Sequence, residues 1–113
     1  MSRDEGYLLE MLLAARDARS LATGVSEEEF RAEIRHQYAI TKALELIGEA
    51  ARKVSEEARR AHPEIEWAGV VGLRHRIVHD YRNLDLRRIW KIVVEEVPPL
   101  IEHLERIVPP GES

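Results

Sequence analysis

The stretch from Leu73 to Arg82, with the sequence LRHRIVHDYR, carries residues that could act on a phosphodiester. Arg74 supplies a permanent cation whose planar fork can bind a phosphate through two hydrogen bonds. His79 supplies an imidazole that can exchange a proton near neutral pH. Tyr81 adds a phenol two residues later. These residue types predict a site for a phosphate-bearing partner.

The chemistry that Arg74 and His79 could perform together is RNA cleavage without a metal ion. The ribose 2′-hydroxyl can act as the internal nucleophile, His79 can accept its proton, and Arg74 can stabilise the charge that develops on the phosphate. We therefore predict Arg74 and His79 as catalytic residues of an endoribonuclease that uses no cofactor. The predicted substrate-binding residues are His75, Arg76 and Arg82. The pattern leaves an alternative open, in which Arg74 and His79 only form surface ion pairs, for example with Asp80 or Glu95.

A zinc site is the second chemistry that this stretch could suggest, because His75 and His79 are four residues apart. On a helix, two histidines at this spacing can bind zinc. Here, however, Arg76 stands where a zinc protease has its catalytic glutamate, and a cation beside the pair opposes metal binding. We predict no metal ligands.

The charge of the chain is concentrated around the same stretch. The whole protein has a formal net charge of −4, which argues against general binding of nucleic acid. Between Gly72 and Lys91, in contrast, six basic residues face two acidic ones, giving a local charge of +4 before the histidines are counted. A localised anionic ligand suits this distribution better than a long duplex does.

Helical periodicity runs through most of the 113 residues, and no sustained period-two pattern predicts a strand. Gly48, inside the second helix, predicts a close approach of another helix. The fold class is predicted as all-α, an antiparallel four- to five-helix bundle with the last helix kinked at Pro98-Pro99. Residues 1–108 would form a single domain, and residues 109–113 a frayed tail. The first predicted helix has about twenty residues and ends at Gly24, and a long second one runs from Phe30 to Val54. A short helix spans Glu56 to Ala61. The next helix starts at Trp67 and runs through the motif, and Asp85 caps the last one.

If the motif lies on one continuous helix, its side chains do not all point the same way. Arg74 and Tyr81 would share a face, whereas His79 would lie roughly 140° around from Arg74. Arg74 of one protomer and His79 of another could then meet in a symmetric dimer. We therefore expect a homodimer.

Composition also limits where the protein works. It has no cysteine, which is compatible with a reducing compartment and excludes disulfides. The first residues contain no apolar signal segment, and no apolar run approaches the length needed to cross a bilayer. We expect a cytoplasmic protein that does not bind membranes.

Several segments together resemble a known family. The spacing of Arg74, His79 and Tyr81 matches the Arg-x4-His-x-Tyr motif of HepT-like toxins in the HEPN superfamily. Nearly the whole chain takes part in the resemblance, in order. The other similar segments are Ala43 to Ala50 in the second helix, Pro63 to Trp67 before the motif, Asp85 to Trp90 after it, and Val97 to Leu100.

This resemblance implies an all-α homodimer, or a larger hetero-oligomer with a partner, that cleaves RNA without metal through Arg74 and His79. It implies a toxin of a type II toxin–antitoxin system whose antitoxin is a minimal nucleotidyltransferase. That antitoxin would transfer AMP to Tyr81, and the bulky anion would block the Arg74 site. The chain departs from the family at His75, where asparagine is usual. Two alternatives stay open: a non-catalytic subunit that is only the substrate of AMPylation, and a plain dimerisation module.

Overall fold

The computed structural model describes residues 2–80 and 83–109. Two long helices, α1 (Arg3–Ala22) and α3 (Ile34–Lys53), pack along each other as the centre of the fold. They are antiparallel, because Asp4 near the start of α1 contacts Ser55 just beyond the end of α3. The last helix, α8 (Val97–Ile107), packs on α1, where Arg16 pairs with Glu105 at 2.8 Å. The predicted antiparallel helical bundle is confirmed.

The long second helix is broken, contrary to the prediction of one helix from Phe30 to Val54. Helix α2 spans Glu27–Ala32, and Glu33 adopts an extended conformation before α3 begins. The Glu33 carboxylate accepts a hydrogen bond from the Arg35 amide, which caps the new helix. The side chain of Gln37 donates to the carbonyls of Phe30 and Arg31, which satisfies the free end of α2. The break therefore keeps its polar backbone groups paired.

A short helix and a close contact precede the motif. Helix α4 (Glu56–Ala61), which Ser55 caps, has the predicted bounds, and α5 (Trp67–Val71) follows after Pro63. Helix α5 crosses α3 so closely that a Cβ on Gly48 would lie 3.1 Å from the Val70 carbonyl oxygen. The predicted role of Gly48 in close helix packing is confirmed.

The final helical run begins at Asp85, whose side chain accepts from the Arg88 amide at 3.1 Å. Helix α7 (Leu86–Lys91) passes into a π-helical turn, Ile92–Glu96, and then into α8. Pro98 and Pro99 lie in the first turn of α8, where missing amide donors cost little. The sequence predicted a kink of the last helix at these prolines. In the structure the helix is irregular immediately before them, in the π-helical turn.

One cluster of buried apolar side chains joins these helices. Within the part of the chain that the structure describes, no helix is long and apolar enough to cross a bilayer. The aromatic ring of Phe30 lies 5.3 Å from that of Trp90 and links α2 to α7. The largest fully buried side chains are Met11, Phe30, Ile40, Leu44, Ile47, Ile77, Ile89, Ile92, Val93, Val97, Ile101 and Leu104.

Candidate functional site

The motif does not lie on one helix, and this corrects the prediction of a helix running through Arg82. Helix α6 (Leu73–Ile77) follows α5 after Gly72, and it ends before His79. The carbonyl of Ile77, at the end of α6, accepts from the amide of Asp85 at 2.8 Å. Val78 is therefore extended, with φ −111° and ψ 113°.

A short antiparallel ribbon replaces the predicted last turn of that helix. Strand β1 (Val78–Asp80) pairs with β2 (Asn83–Leu84), with Val78 opposite Leu84 and Asp80 opposite Asn83. The expectation that the chain contains no strand was wrong at this point. Tyr81 and Arg82, the predicted modification site and a predicted substrate-binding residue, lie outside the described residues.

The change from helix to strand places Arg74 and His79 on one surface of a single protomer. Both side chains line a depression of about 550 Å³, together with His75 and Asp80. The angle of roughly 140° that a continuous helix would impose does not apply, because His79 lies beyond the helix end. The geometric reason for requiring a second protomer therefore falls away, and the homodimer stays a prediction.

Arg74 is only loosely held. Its side chain is 75% exposed, and its Nε lies 3.7 Å from the Glu45 carboxylate on α3. An exposed ion pair of this length contributes little to stability. Most of the guanidinium fork can therefore turn towards an incoming phosphate.

His79 lies beside Asp85. Its Nε2 lies 3.5 Å from Asp85 Oδ2, and the imidazole is 57% exposed. The Asp85 carboxylate is fixed in turn, because it caps α7 and lies 3.8 Å from Arg88 Nε. The ion-pair partners of Arg74 and His79 are thus Glu45 and Asp85, whereas the sequence suggested Asp80 or Glu95.

Arg76 lies away from this depression. Its guanidinium makes two hydrogen bonds to the Glu96 carboxylate, at 3.0 and 2.7 Å, and it lines a separate cavity of about 250 Å³ between α6 and α8. The side chain is 29% exposed. The structure therefore brings Arg74, His75 and His79 together, but places Arg76 in a contact between helices.

A helical zinc pair is not formed, because His75 lies on α6 and His79 on β1. Among residues 2–80 and 83–109, no group of three or more histidine, cysteine, aspartate or glutamate side chains could hold a metal ion.

Two residues of the site were not predicted from the sequence as functional. Arg52, on α3, lines the same depression and pairs with Glu49. Asp85 was recognised only as a helix cap, although its carboxylate also contacts His79. The local basic charge could not reveal Arg52, since it lies 22 residues before Arg74. For Asp85 the signal was present, because an acidic residue lies close to a histidine in the chain.

Comparison with known proteins identifies the family of the chain. A sequence model of the family described as Ribonuclease HepT-like matches residues 11–107. The chain is 34% identical over 101 residues to a "putative RNase" of Methanocaldococcus jannaschii, which covers 89% of this chain and 93% of that protein. It is 32% identical over 101 residues to a "probable ribonuclease HepT" of Thermococcus cleftensis, covering 89% and 92% of the two chains.

A third relative, a "putative RNase" of Caldanaerobacter subterraneus subsp. tengcongensis, is 28% identical over 108 residues and covers 96% of each chain. No solved structure matches the chain significantly. The family match spans most of the chain and includes both the helical bundle and the depression with Arg74 and His79. The chain belongs to the Ribonuclease HepT-like family.

Proposed function

We propose that this protein is a metal-independent endoribonuclease in which His79 is the general base and Arg74 binds and stabilises the reacting phosphate. The observation that carries the proposal is that both side chains line one depression of a single protomer. Family membership and the ribonuclease names of the relatives support the same reaction class.

The reaction needs only groups that the RNA and these residues supply. A neutral His79 imidazole removes the proton of a ribose 2′-hydroxyl, and the oxygen attacks the adjacent phosphorus. The new O–P bond forms as the bond to the 5′-oxygen breaks, and that oxygen takes up a proton from solvent or from the protonated imidazole. The products are a 2′,3′-cyclic phosphate and a 5′-hydroxyl. Arg74 stabilises the charge on the phosphate oxygens during the exchange.

The contact between His79 and Asp85 supports the assignment of the base. The carboxylate is 3.5 Å from Nε2 and stabilises the imidazolium that forms when the base takes its proton. His75 and Arg52 add positive or hydrogen-bonding groups to the depression. We propose that His75, together with Arg82, contacts phosphates on either side of the cut, and that Arg76 contributes only through structure.

The test is cleavage of a labelled single-stranded RNA in the presence of EDTA. Arg74→Ala and His79→Ala should each lower the rate by about 100-fold or more, because each removes a group that acts in the transition state. Arg87→Ala, which removes an exposed arginine of α7, is the matched control and should cut at the parental rate. Full activity of either site variant would contradict the assigned roles. Loss of activity in EDTA that added metal restores would contradict metal independence.

We also propose that this nuclease acts as the toxin of a cytoplasmic toxin–antitoxin pair and works as a homodimer. A minimal nucleotidyltransferase would silence it by transferring AMP to Tyr81, which directly follows Asp80 of the depression in the chain. Incubation with such an enzyme and ATP should raise the intact mass by one AMP and stop RNA cleavage. A Tyr81→Phe protein that gains the same mass would exclude Tyr81 as the acceptor. Light scattering of the purified protein tests the homodimer.

A further inference from the structure

A second groove adjoins the depression and shares Arg74 with it. This groove, which we call the Tyr38 groove, has a volume of about 290 Å³ and lies between α3 and the ribbon. The side chains from α3 that line it are Tyr38, Thr41, Lys42 and Glu45. Because Arg74 lines both concavities, a chain that binds a phosphate at Arg74 can continue into the Tyr38 groove.

Tyr38 gives the groove an aromatic surface. It is 56% exposed on the long central helix, where Ile34 and Leu46 are also exposed, at 55% and 44%. Proteins that bind single-stranded RNA stack unpaired bases on aromatic rings of this kind. An exposed aromatic ring beside an arginine is therefore suited to a nucleotide base.

Thr41 provides an independent indication of a ligand. Its side chain lines the groove, but the residue is only 5% exposed, and its hydroxyl has no hydrogen-bond partner within the described part of the chain. A buried polar group without a partner costs free energy. The hydroxyl oxygen is itself buried, so a ligand in the groove would hydrogen-bond to it after a rotation of the Thr41 side chain, and that bond would remove the cost.

Lys42 and Glu45 provide charged side chains in the Tyr38 groove. Lys42 is an exposed cation, and it forms no ion pair among residues 2–80 and 83–109. It can neutralise a backbone phosphate. Glu45 contacts Arg74 at 3.7 Å through one oxygen and keeps further acceptor positions for an amino group on a base.

We propose that the Tyr38 groove is a subsite for the nucleotide next to the phosphate held by Arg74. The base stacks on Tyr38, the Thr41 hydroxyl hydrogen-bonds to the nucleotide, and Lys42 contacts the neighbouring phosphate. This inference rests on the proposed function in that RNA is the substrate, but it concerns binding and not cleavage.

The experiment measures binding of a fully 2′-O-methylated oligonucleotide, which lacks the attacking hydroxyl and so cannot be cut. Tyr38→Ala should weaken binding by about tenfold, and Tyr38→Phe by less than about twofold, because the stacking surface is kept. Leu46→Ala is the matched control, since Leu46 is 44% exposed on the same helix and lines neither concavity. It should bind like the parent.

Thr41→Val separates a binding role from a structural one. The substitution keeps the shape of the side chain and removes a hydroxyl that has no partner, so the melting temperature should stay the same or rise. RNA binding should weaken by about fivefold through loss of one hydrogen bond. On natural RNA, Tyr38→Ala and Thr41→Val should raise KM more than they lower kcat.

The outcomes distinguish this inference from the proposed function. If the parent cuts RNA and Tyr38→Ala binds the methylated strand equally well, the subsite is overturned and the nuclease is not. If the parent binds the strand through Tyr38 but does not cut natural RNA, the subsite holds and the nuclease assignment fails. A parental protein that neither binds the methylated strand nor cuts natural RNA would overturn both the subsite and the nuclease assignment. Light scattering completes the test, because a change of oligomeric state in Tyr38→Ala would assign the groove to a contact between two copies and overturn the subsite.

Discussion

The carboxylate of Asp85 serves two structural elements at once, since it caps helix α7 and lies 3.5 Å from the imidazole of His79. The same residue is joined to the end of α6 through its backbone, where its amide donates to the Ile77 carbonyl at 2.8 Å. The proposed base is therefore linked to the start of the last helical run as well as to the helix that carries Arg74.

The two roles of Asp85 can be separated by substitution. Asp85→Asn keeps a side chain that caps helices well but removes the charge beside His79. It should leave the melting temperature almost unchanged and lower kcat for RNA by about tenfold, with little change in KM, because the protonated base loses its partner. Asp85→Ala removes the cap as well and should destabilise the fold by about 1 kcal/mol. Equal kcat in the parent and Asp85→Asn would show that Asp85 does not position the base.

The sequence predicted the bundle well and the motif's conformation poorly, for a physical reason. Helix periodicity and caps such as Asp85 are local, and they placed α1, α4 and the start of α7 close to their observed positions. The end of α6 depends instead on the hydrogen bond from Asp85 to Ile77, which joins residues eight positions apart. The break at Glu33 depends in the same way on Gln37 reaching back to Phe30 and Arg31. No local pattern encodes such contacts.

The residue types of the candidate site could be selected from the sequence, whereas its shape could not. Arg74 and His79 could be selected because a permanent cation and a proton acceptor in a basic segment suit a phosphate. Arg52, Tyr38 and Thr41 could not, since they reach the same region from α3, and only tertiary packing brings that helix beside the motif.

Arg76 should matter for stability and not for RNA. Its paired hydrogen bonds to Glu96 link α6 to the π-helical turn, and its side chain is largely covered. Arg76→Gln should lower the free energy of unfolding by about 1 kcal/mol and leave the KM for RNA within about twofold of the parent. Arg87→Gln, an exposed arginine without an ion pair among the described residues, is the control and should change neither quantity. A raised KM at unchanged stability would restore Arg76 as a substrate-binding residue.

Asp4 makes the stability of the fold dependent on pH. The Ser55 amide donates to its carboxylate at 2.8 Å and the Ser55 hydroxyl at 2.7 Å, and these hydrogen bonds hold the pKa of Asp4 below its ordinary value of 3.8. A lowered pKa in the folded state stabilises the protein above that ordinary value, and the contribution is lost as pH falls through the folded pKa. Asp4→Asn should therefore melt at a lower temperature than the parent near neutral pH.

The difference between the parent and Asp4→Asn should shrink as the pH falls through the lowered pKa of folded Asp4, below which both side chains are uncharged. Thermal unfolding, followed by circular dichroism at neutral pH and at acid pH, checks this prediction. Asp17→Asn, on an exposed position of the same helix, should melt like the parent throughout. A deficit of Asp4→Asn that is as large in acid as at neutral pH would mean that charge is not the cause.

Gly48 controls how closely α5, and therefore the start of the motif, approaches the central helix. A Cβ at this position would lie 3.1 Å from the Val70 carbonyl oxygen and 3.6 Å from the Leu73 Cβ, so a branched side chain must push α5 outwards. Gly48→Val should destabilise the fold by about 2 kcal/mol through overpacking. It should also reduce RNA cleavage, because Arg74 directly follows the displaced Leu73. Leu46→Val adds the same branched side chain at an exposed position of α3 and should cost only about 0.5 kcal/mol. If the two variants unfold at the same denaturant concentration, the helices have room to separate and Gly48 does not set the position of the site.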